Sequence, residues 1–264
     1  MSTSYETLLV EIDAARVATI TMNRPQALNA MNTRMMQEVR DCFTGFHIDQ
    51  DAAACIILTG SGNRGFCTGA DLKERKGMDD SVWYRQHAQT QQMIRALMDC
   101  PIPLIAAVNG YAYAGGCEIA LACDFIYAAE HARFALTEVT IGIMPGAAGT
   151  QNLPRAVGTR RAKEAILTGA PWSAAEAYEW GMVNKVCAAD TLMDEARAVA
   201  ARIAANAPIS VRQAKRAVDK GSELPRASGY AYEVEAYYRT VPTEDRREGI
   251  LAFNEKRKPK YKGK

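Results

Sequence analysis

Histidine is scarce in this chain. The 264 residues hold only His47, His87 and His131, none at the spacing of a zinc-binding helix and all in segments that read as helical or polar surface. With no GxSxG elbow either, neither metal-assisted hydrolysis nor a serine triad is indicated. A GxGxxG turn is also missing, and the glycine-rich AYAGGCE falls mid-chain, so a Rossmann dinucleotide site is not expected. Excess charge of one sign is absent too. The 32 Lys and Arg nearly balance 30 Asp and Glu, leaving +2, so no global field draws nucleic acid or an anionic membrane. No apolar run approaches the ~20 residues that cross a bilayer. The seven cysteines are scattered, with no CxxC pair, which predicts reduced, mostly buried thiols in the cytoplasm rather than a disulfide framework. The stretch MSTSYETLLVEID lacks the Arg-rich, acid-poor character of a transit peptide.

What is present suits an ordinary globular protein, with 48% hydrophobic and 23% charged residues. Thr7 to Ile12 and Val17 to Met22 read as two strands. Asn32 is a candidate cap for a helix carrying Met35, Met36, Val39, Phe43 and Phe46 at three- and four-residue spacing. ACIILTG and PLIAAV read as buried strands, Ser81 to Met98 as a helix, and the polar, glycine-rich SGNRGFCTGADLKERKGM as a loop that turns helical near Asp71. Recurring strand, glycine loop and helix units predict an α/β core with several loops converging on one face. From Asp190 the strands stop and four helical segments follow, so residues 1–189 read as the core and 190–264 as a helical region that covers it or mediates assembly. The cations after Glu255 read first as a solvated tail.

Two glycine turns carry the first chemical signal. Each feeds a helix start, which leaves amides unpaired: Ala70 in FCTGADLK and Gly115 in AYAGGCE. Tight turns or close packing would explain the same glycines. Glu118 lies in GGCEIALACD among small and apolar side chains, where a buried carboxylate needs a partner or a use, although a first-turn acid is also favoured by the helix dipole. Glu138, in FALTEVTIGIMPG, is a second acid between apolar stretches, with an exposed strand end as its plainer explanation.

FCTGADLK, IAAVNGYAYAGGCEIALACD, TEVTIGIMPGAAGTQNLPRAVG and EDRREGILAFNEKRKP, in that order, closely resemble the crotonase family of enoyl-CoA hydratases and isomerases over essentially the whole chain. The resemblance implies a spiral of repeated ββα units followed by C-terminal helices that form a homotrimer or a dimer of trimers. It implies an acyl-CoA substrate and no separate cofactor or metal, coenzyme A being part of the substrate. By resemblance the Ala70 and Gly115 amides hold the thioester oxygen, Glu118 orients and activates water, and Glu138 exchanges the proton at Cα. Ala70, Asp71, Leu72 and Lys73 would lie along coenzyme A, with Phe253 and Lys256 completing its site on a neighbouring subunit. Both glutamates being present favours hydration of a trans-2-enoyl-CoA over isomerisation. A non-catalytic RNA-binding protein on the same fold is the alternative from another class, but no aromatic and basic stripe supports it. Thr68, Ala114, Thr137 and Ala148 depart from residues common in the family.

Overall fold

The computed structural model describes residues 4–264, so the first three residues of the stretch read for a targeting signal lie outside it. The chain runs β1 (Leu8–Ile12), β2 (Val17–Met22), α1 (Thr33–Ile48), β3 (Cys55–Gly60), β4 (Gly65–Cys67), α2 (Leu72–Arg75), α3 (Asp80–Met98), β5 (Leu104–Val108), β6 (Tyr111–Tyr113), α4 (Gly115–Ala122), β7 (Phe125–Ala129) and β8 (Arg133–Ala135). It continues through α5 (Gly149–Val157), α6 (Thr159–Thr168), β9 (Trp172–Ser173), α7 (Ala174–Glu179) and β10 (Lys185–Cys187). Helices α8 (Leu192–Ala204), α9 (Pro208–Gly221), α10 (Arg226–Tyr238) and α11 (Glu244–Asn254) close it.

Three times the chain lays one strand in a larger sheet, turns a corner, lays a short strand in a smaller sheet and continues into a helix. The larger sheet has the order β1-β2-β3-β5-β7-β10 and the smaller β4-β6-β8-β9. The repeats stack in parallel through β3, β5 and β7 on one side and β4, β6 and β8 on the other. This is the ββα spiral. Its long strands are the apolar runs visible in the sequence. Strands β4 and β6 fall where the sequence reads as loop and turn, because three residues are too few to show an alternation.

The side-chain period of two divides β3 between two cores. Ile56 and Leu58 join Met35, Met36, Val39, Phe43 and Phe46 of α1 on one face. Cys55 and Ile57 turn to the other, where Leu192, Ala196 and Ala200 of α8 cover them. Helix α8 is therefore a core layer, although it lies beyond residue 189. Asn32 caps α1 as expected, its side chain accepting from Met35 N. All seven cysteines are free and buried.

Helices α9 and α10 leave Val218, Tyr230, Tyr237 and Tyr238 exposed. The basic end is not simply solvated. Asp245 accepts from the Lys262 and Gly263 amides at 2.7 and 2.8 Å, and Glu248 pairs with Arg257 and accepts from Lys260 N, which ties the tail onto α11.

Candidate active site

The corners of the spiral and α3 enclose a cleft of about 930 Å³, lined among others by Met31, Ala70, Gly115, Glu118 and Glu138. Four residues that the sequence singles out from three different repeats thus meet in one place.

The two amides are open for structural reasons. Met31 N donates to Gly69 O at 2.7 Å and Asp71 N to Met31 O at 2.8 Å; because amides along an extended segment alternate in direction, Ala70 N–H points away from this ladder. Gly115 begins α4, where the first-turn amides lack intrahelical acceptors. Neither amide has an acceptor among the described residues. Gly69 has φ of 86°, and a Cβ there would lie 2.9 Å from Ala114 Cβ and 3.1 Å from Gly115 N. Glycine at 69 therefore lets the two loops touch, which sets two free donors side by side.

Glu118 is 2% exposed. Its Oε1 accepts from Ala147 N at 2.7 Å and Gly149 N at 2.8 Å, at the entry to α5, and a Cβ at Gly149 would sit 2.8 Å from that oxygen. Oε2 takes no hydrogen bond from the described residues. Burial pushes the Glu118 carboxyl above its usual range, while the two amides and His87 oppose the shift. One oxygen is fixed and the other is left for chemistry.

Glu138 starts a 3₁₀ turn, Glu138–Ile141. It is 6% exposed, so the exposed strand-end reading is wrong: the chain leaves β8 and turns inward. Its Oε2 is buried without a partner among the described residues. Burial first, then the Glu118 charge, push the carboxyl up to about 7 against the pull of its own amide. Because the folded state holds this proton more tightly than the unfolded chain, the proton-linked stability is full below the unfolded value and is lost as pH rises towards 7. Glu138→Gln, which cannot ionise, should therefore gain stability over the natural protein as pH rises from 5 to 8, by on the order of 2 kcal/mol after screening at the cleft mouth. Thermal melts of both proteins across that range check the sign. A difference that shrinks towards pH 8 would refute the raised carboxyl.

Asp71, Leu72 and Lys73 also line the cleft. Asp71 is engaged structurally, its carboxylate accepting from Lys73 N and Glu74 N and pairing with Arg24 at 3.0 Å. Burial acts to raise its carboxyl, but the Arg24 contact and those amides hold it below the usual range. Leu72 and Lys73 are exposed at the rim. Phe253 and Lys256 do not line the cleft of their own chain, and Phe253 is 83% exposed on α11.

Three further lining residues escaped the sequence reading: Arg24, Arg75 and His87. His87 is half-buried rather than a surface residue, with Nε2 3.1 Å from Gly146 O. The signal was available, since 83, 87, 90 and 94 follow the helical period of the buried stripe of α3. Of the four departures, Ala114 (φ 49°) and Ala148 (φ 72°) occupy backbone regions that favour glycine, and each adjoins a residue of the site. Such strain is of order 1–3 kcal/mol per residue. The Thr68 hydroxyl reaches Leu28 O at 3.4 Å, and nothing in the structure explains Thr137.

Among the described residues no cluster of His, Cys, Asp or Glu could hold a metal ion, and no helix is long and apolar enough to cross a membrane.

The model of the family described as enoyl-CoA hydratase/isomerase matches residues 13–264. YngF of Bacillus subtilis (strain 168), which carries a provisional enoyl-CoA hydratase/isomerase name, is 46% identical over 260 residues, covering 98% of this chain and 99% of YngF. The short-chain-enoyl-CoA hydratase of Clostridium acetobutylicum is 40% identical over 243 residues, 92% of this chain and 93% of that protein. In three dimensions the crystal structure of enoyl-CoA hydratase from Bacillus anthracis matches with a TM-score of 0.96 at 41% identity, over 98% of this chain and all of that one.

Proposed function

The chain belongs to the enoyl-CoA hydratase/isomerase family, and from that premise we propose that it is an enoyl-CoA hydratase, a hydro-lyase that adds water across the 2,3 double bond of a trans-2-enoyl-CoA. The observation that carries this reading is the pair of buried glutamates, each with an oxygen free of protein partners, in the cleft that also holds two open amides.

The thioester carbonyl accepts hydrogen bonds from Ala70 N and Gly115 N, which stabilise the negative charge that grows on its oxygen as water attacks C3. Oε2 of Glu118 takes a proton from that water, whose oxygen bonds to C3. Glu138 delivers a proton to C2, and the product is a 3-hydroxyacyl-CoA. A carboxyl near 7 suits the donor, because it is substantially protonated at neutral pH yet gives the proton up readily. Unequal environments divide the roles: two amides hold Glu118, while Glu138 has its second oxygen unpartnered. The reaction needs no cofactor beyond the substrate's own coenzyme A, which Asp71, Leu72 and Lys73 flank.

Incubation with crotonyl-CoA tests the reading. Loss of the conjugated enoyl-thioester absorbance, with formation of the 3-hydroxy product, is expected. Inertness towards it, together with gain of conjugation from a 3-enoyl-CoA, would make the protein an isomerase.

Residues 1–189 supply the catalytic centre, and 190–264, whose first helix α8 also covers the larger sheet, supply assembly into a trimer or a dimer of trimers. The exposed Val218, Tyr230, Tyr237 and Tyr238 support this, since they lie together along α9 and α10 and clustered large exposed side chains mark an interaction surface. In the trimer Phe253 and Lys256 complete a neighbour's coenzyme A site. Lys256→Ala should raise KM about 10-fold and leave kcat nearly unchanged, since a remote contact binds substrate and transition state alike. Light scattering should read a multiple of three times the 28.8 kDa chain. A stable monomer with an unaltered KM in Lys256→Ala would remove this part of the proposal.

A further inference from the structure

Arg75, the last residue of α2, turns its guanidinium against α3. Its Nε donates to Gln86 Oε1 at 2.7 Å, and its Cζ lies 4.4 Å from the centre of the Trp83 ring. Gln86 in turn donates to Thr33 Oγ1 and Glu74 Oε2, both at 2.9 Å. The cation is thus held by a network instead of trailing into water. It is half-buried, and burial makes its proton easier to lose than an ordinary arginine's. Yet it forms no salt bridge and its two Nη atoms reach no acceptor among the described residues. Its neighbour Glu74 is occupied elsewhere, accepting from Thr33 N and Gln86 Nε2. Glu74 opposes the effect of burial through space but makes no ion pair with the guanidinium, and a partly desolvated cation with two donors unoccupied gains from an anion that arrives from outside.

The position decides between the two anions an acyl-CoA could bring. Lys73, two residues earlier on the same short helix, is exposed at the rim and suited to a phosphate outside the cleft, and Arg24 is already paired with Asp71. Arg75 faces the α3 wall instead. One helical turn along that wall from Trp83, or about 6 Å, stands His87, against the Gly146 carbonyl and beside the amides that hold Glu118. That separation matches a short acyl chain running from the reacting carbon to its far end. It is much shorter than the pantetheine arm that separates the thioester from the phosphates.

We propose, resting on the hydratase reading above, that the enoyl group of the substrate ends in a carboxylate, which Arg75, braced by Trp83 and Gln86, receives as a bidentate ion pair. Arginine suits that task because its two Nη donors match both carboxylate oxygens in one plane.

Three thioesters test the idea: 4-carboxybut-2-enoyl-CoA, its methyl ester, and crotonyl-CoA. The acid should exceed its ester in kcat/KM by about 10- to 100-fold, the range for a charge-assisted contact. In Arg75→Met that ratio should collapse to near one, while Arg75→Lys should keep part of it. Equal rates for acid and ester in the natural protein would overturn the proposal. So would an Arg75→Met variant that loses acid and ester equally, as removal of a phosphate contact would cause. Should Arg75→Met fail to fold, competition by glutaryl-CoA and by pentanoyl-CoA against the natural protein reads the same preference, and equal inhibition would again overturn it. Hydration of crotonyl-CoA without any preference for the acid sinks this inference alone. If no enoyl-CoA is hydrated, the hydratase reading fails, and binding of the two saturated thioesters still decides the carboxylate question.

Discussion

Glu118→Gln and Glu138→Gln should each lower the hydration rate by about 10²- to 10⁴-fold, the range for a positioned acid or base, while substrate binding changes far less. The two losses have different origins. Glutamine at 118 can still accept from Ala147 N and Gly149 N through its carbonyl, so the loop entering α5 should keep its shape and only the proton acceptor is removed. Glutamine at 138 replaces a carboxyl poised near 7 with an amide that cannot release a proton. Because both carboxylates serve one addition, the double variant should be little slower than the worse single one. The pH profile adds a separate readout. In the natural protein a limb of the rate should follow a group near 7, and Glu138→Gln should abolish that limb. Crotonyl-CoA turnover close to natural in either single variant would end the two-glutamate mechanism.

Gly115→Pro should reduce kcat by about 10²- to 10³-fold, the usual effect of removing one oxyanion donor. Proline deletes the N–H and nothing else that this position supplies, since the first residue of a helix has no intrahelical acceptor for it. The space is adequate as well. A Cβ at 115 would meet the flexible end of Met31 at 3.0 Å and Gly69 Cα at an ordinary 3.6 Å. Strain enters through Ala114, whose φ of 49° and ψ of −125° suit a residue before proline poorly, so circular dichroism and a melt must show a folded protein first. Gly115→Ala serves as the control, adding the methyl while keeping the amide, and should stay within about 10-fold of the natural rate. A folded Gly115→Pro that matches Gly115→Ala in rate would show that the oxygen is held elsewhere.

The contrast among Ala70, Glu118 and His87 shows how legibility varied. Glu118 stood out because a carboxylate in an otherwise apolar helical stretch conflicts with its surroundings, and such a conflict is visible in one dimension. Ala70 and Gly115 were marked by glycine turns before helix starts, a local backbone signal. His87 showed only its place on the helical period of α3, and Arg75 sent no comparable signal. Each sits in a polar, helix-compatible stretch, and what makes it notable is a partner far off in sequence: the Gly146 carbonyl for His87, 59 residues away, and the cleft itself for Arg75. Phe253 and Lys256 were legible only through family resemblance, and their own chain does not bring them to the cleft.

Residue order alone determined the elements that repeat along the chain: the apolar runs of β3 and β5, the three- and four-residue spacing of α1, and the glycine turns at Gly69 and Gly115. These depend on neighbours within a few positions, so propensity and periodicity suffice. Tertiary structure decided what depends on distant segments meeting. It placed Gly69 against Ala114 so that two donors lie side by side, and turned Glu138 inward. It carried the amides of Ala147 and Gly149 to Glu118, and braced Arg75 on Gln86 and Trp83 with both Nη atoms left without an acceptor among the described residues. Carboxyl and guanidinium energetics follow from burial and from groups brought within a few ångströms by the ββα winding, and neither is a property of any short stretch of sequence.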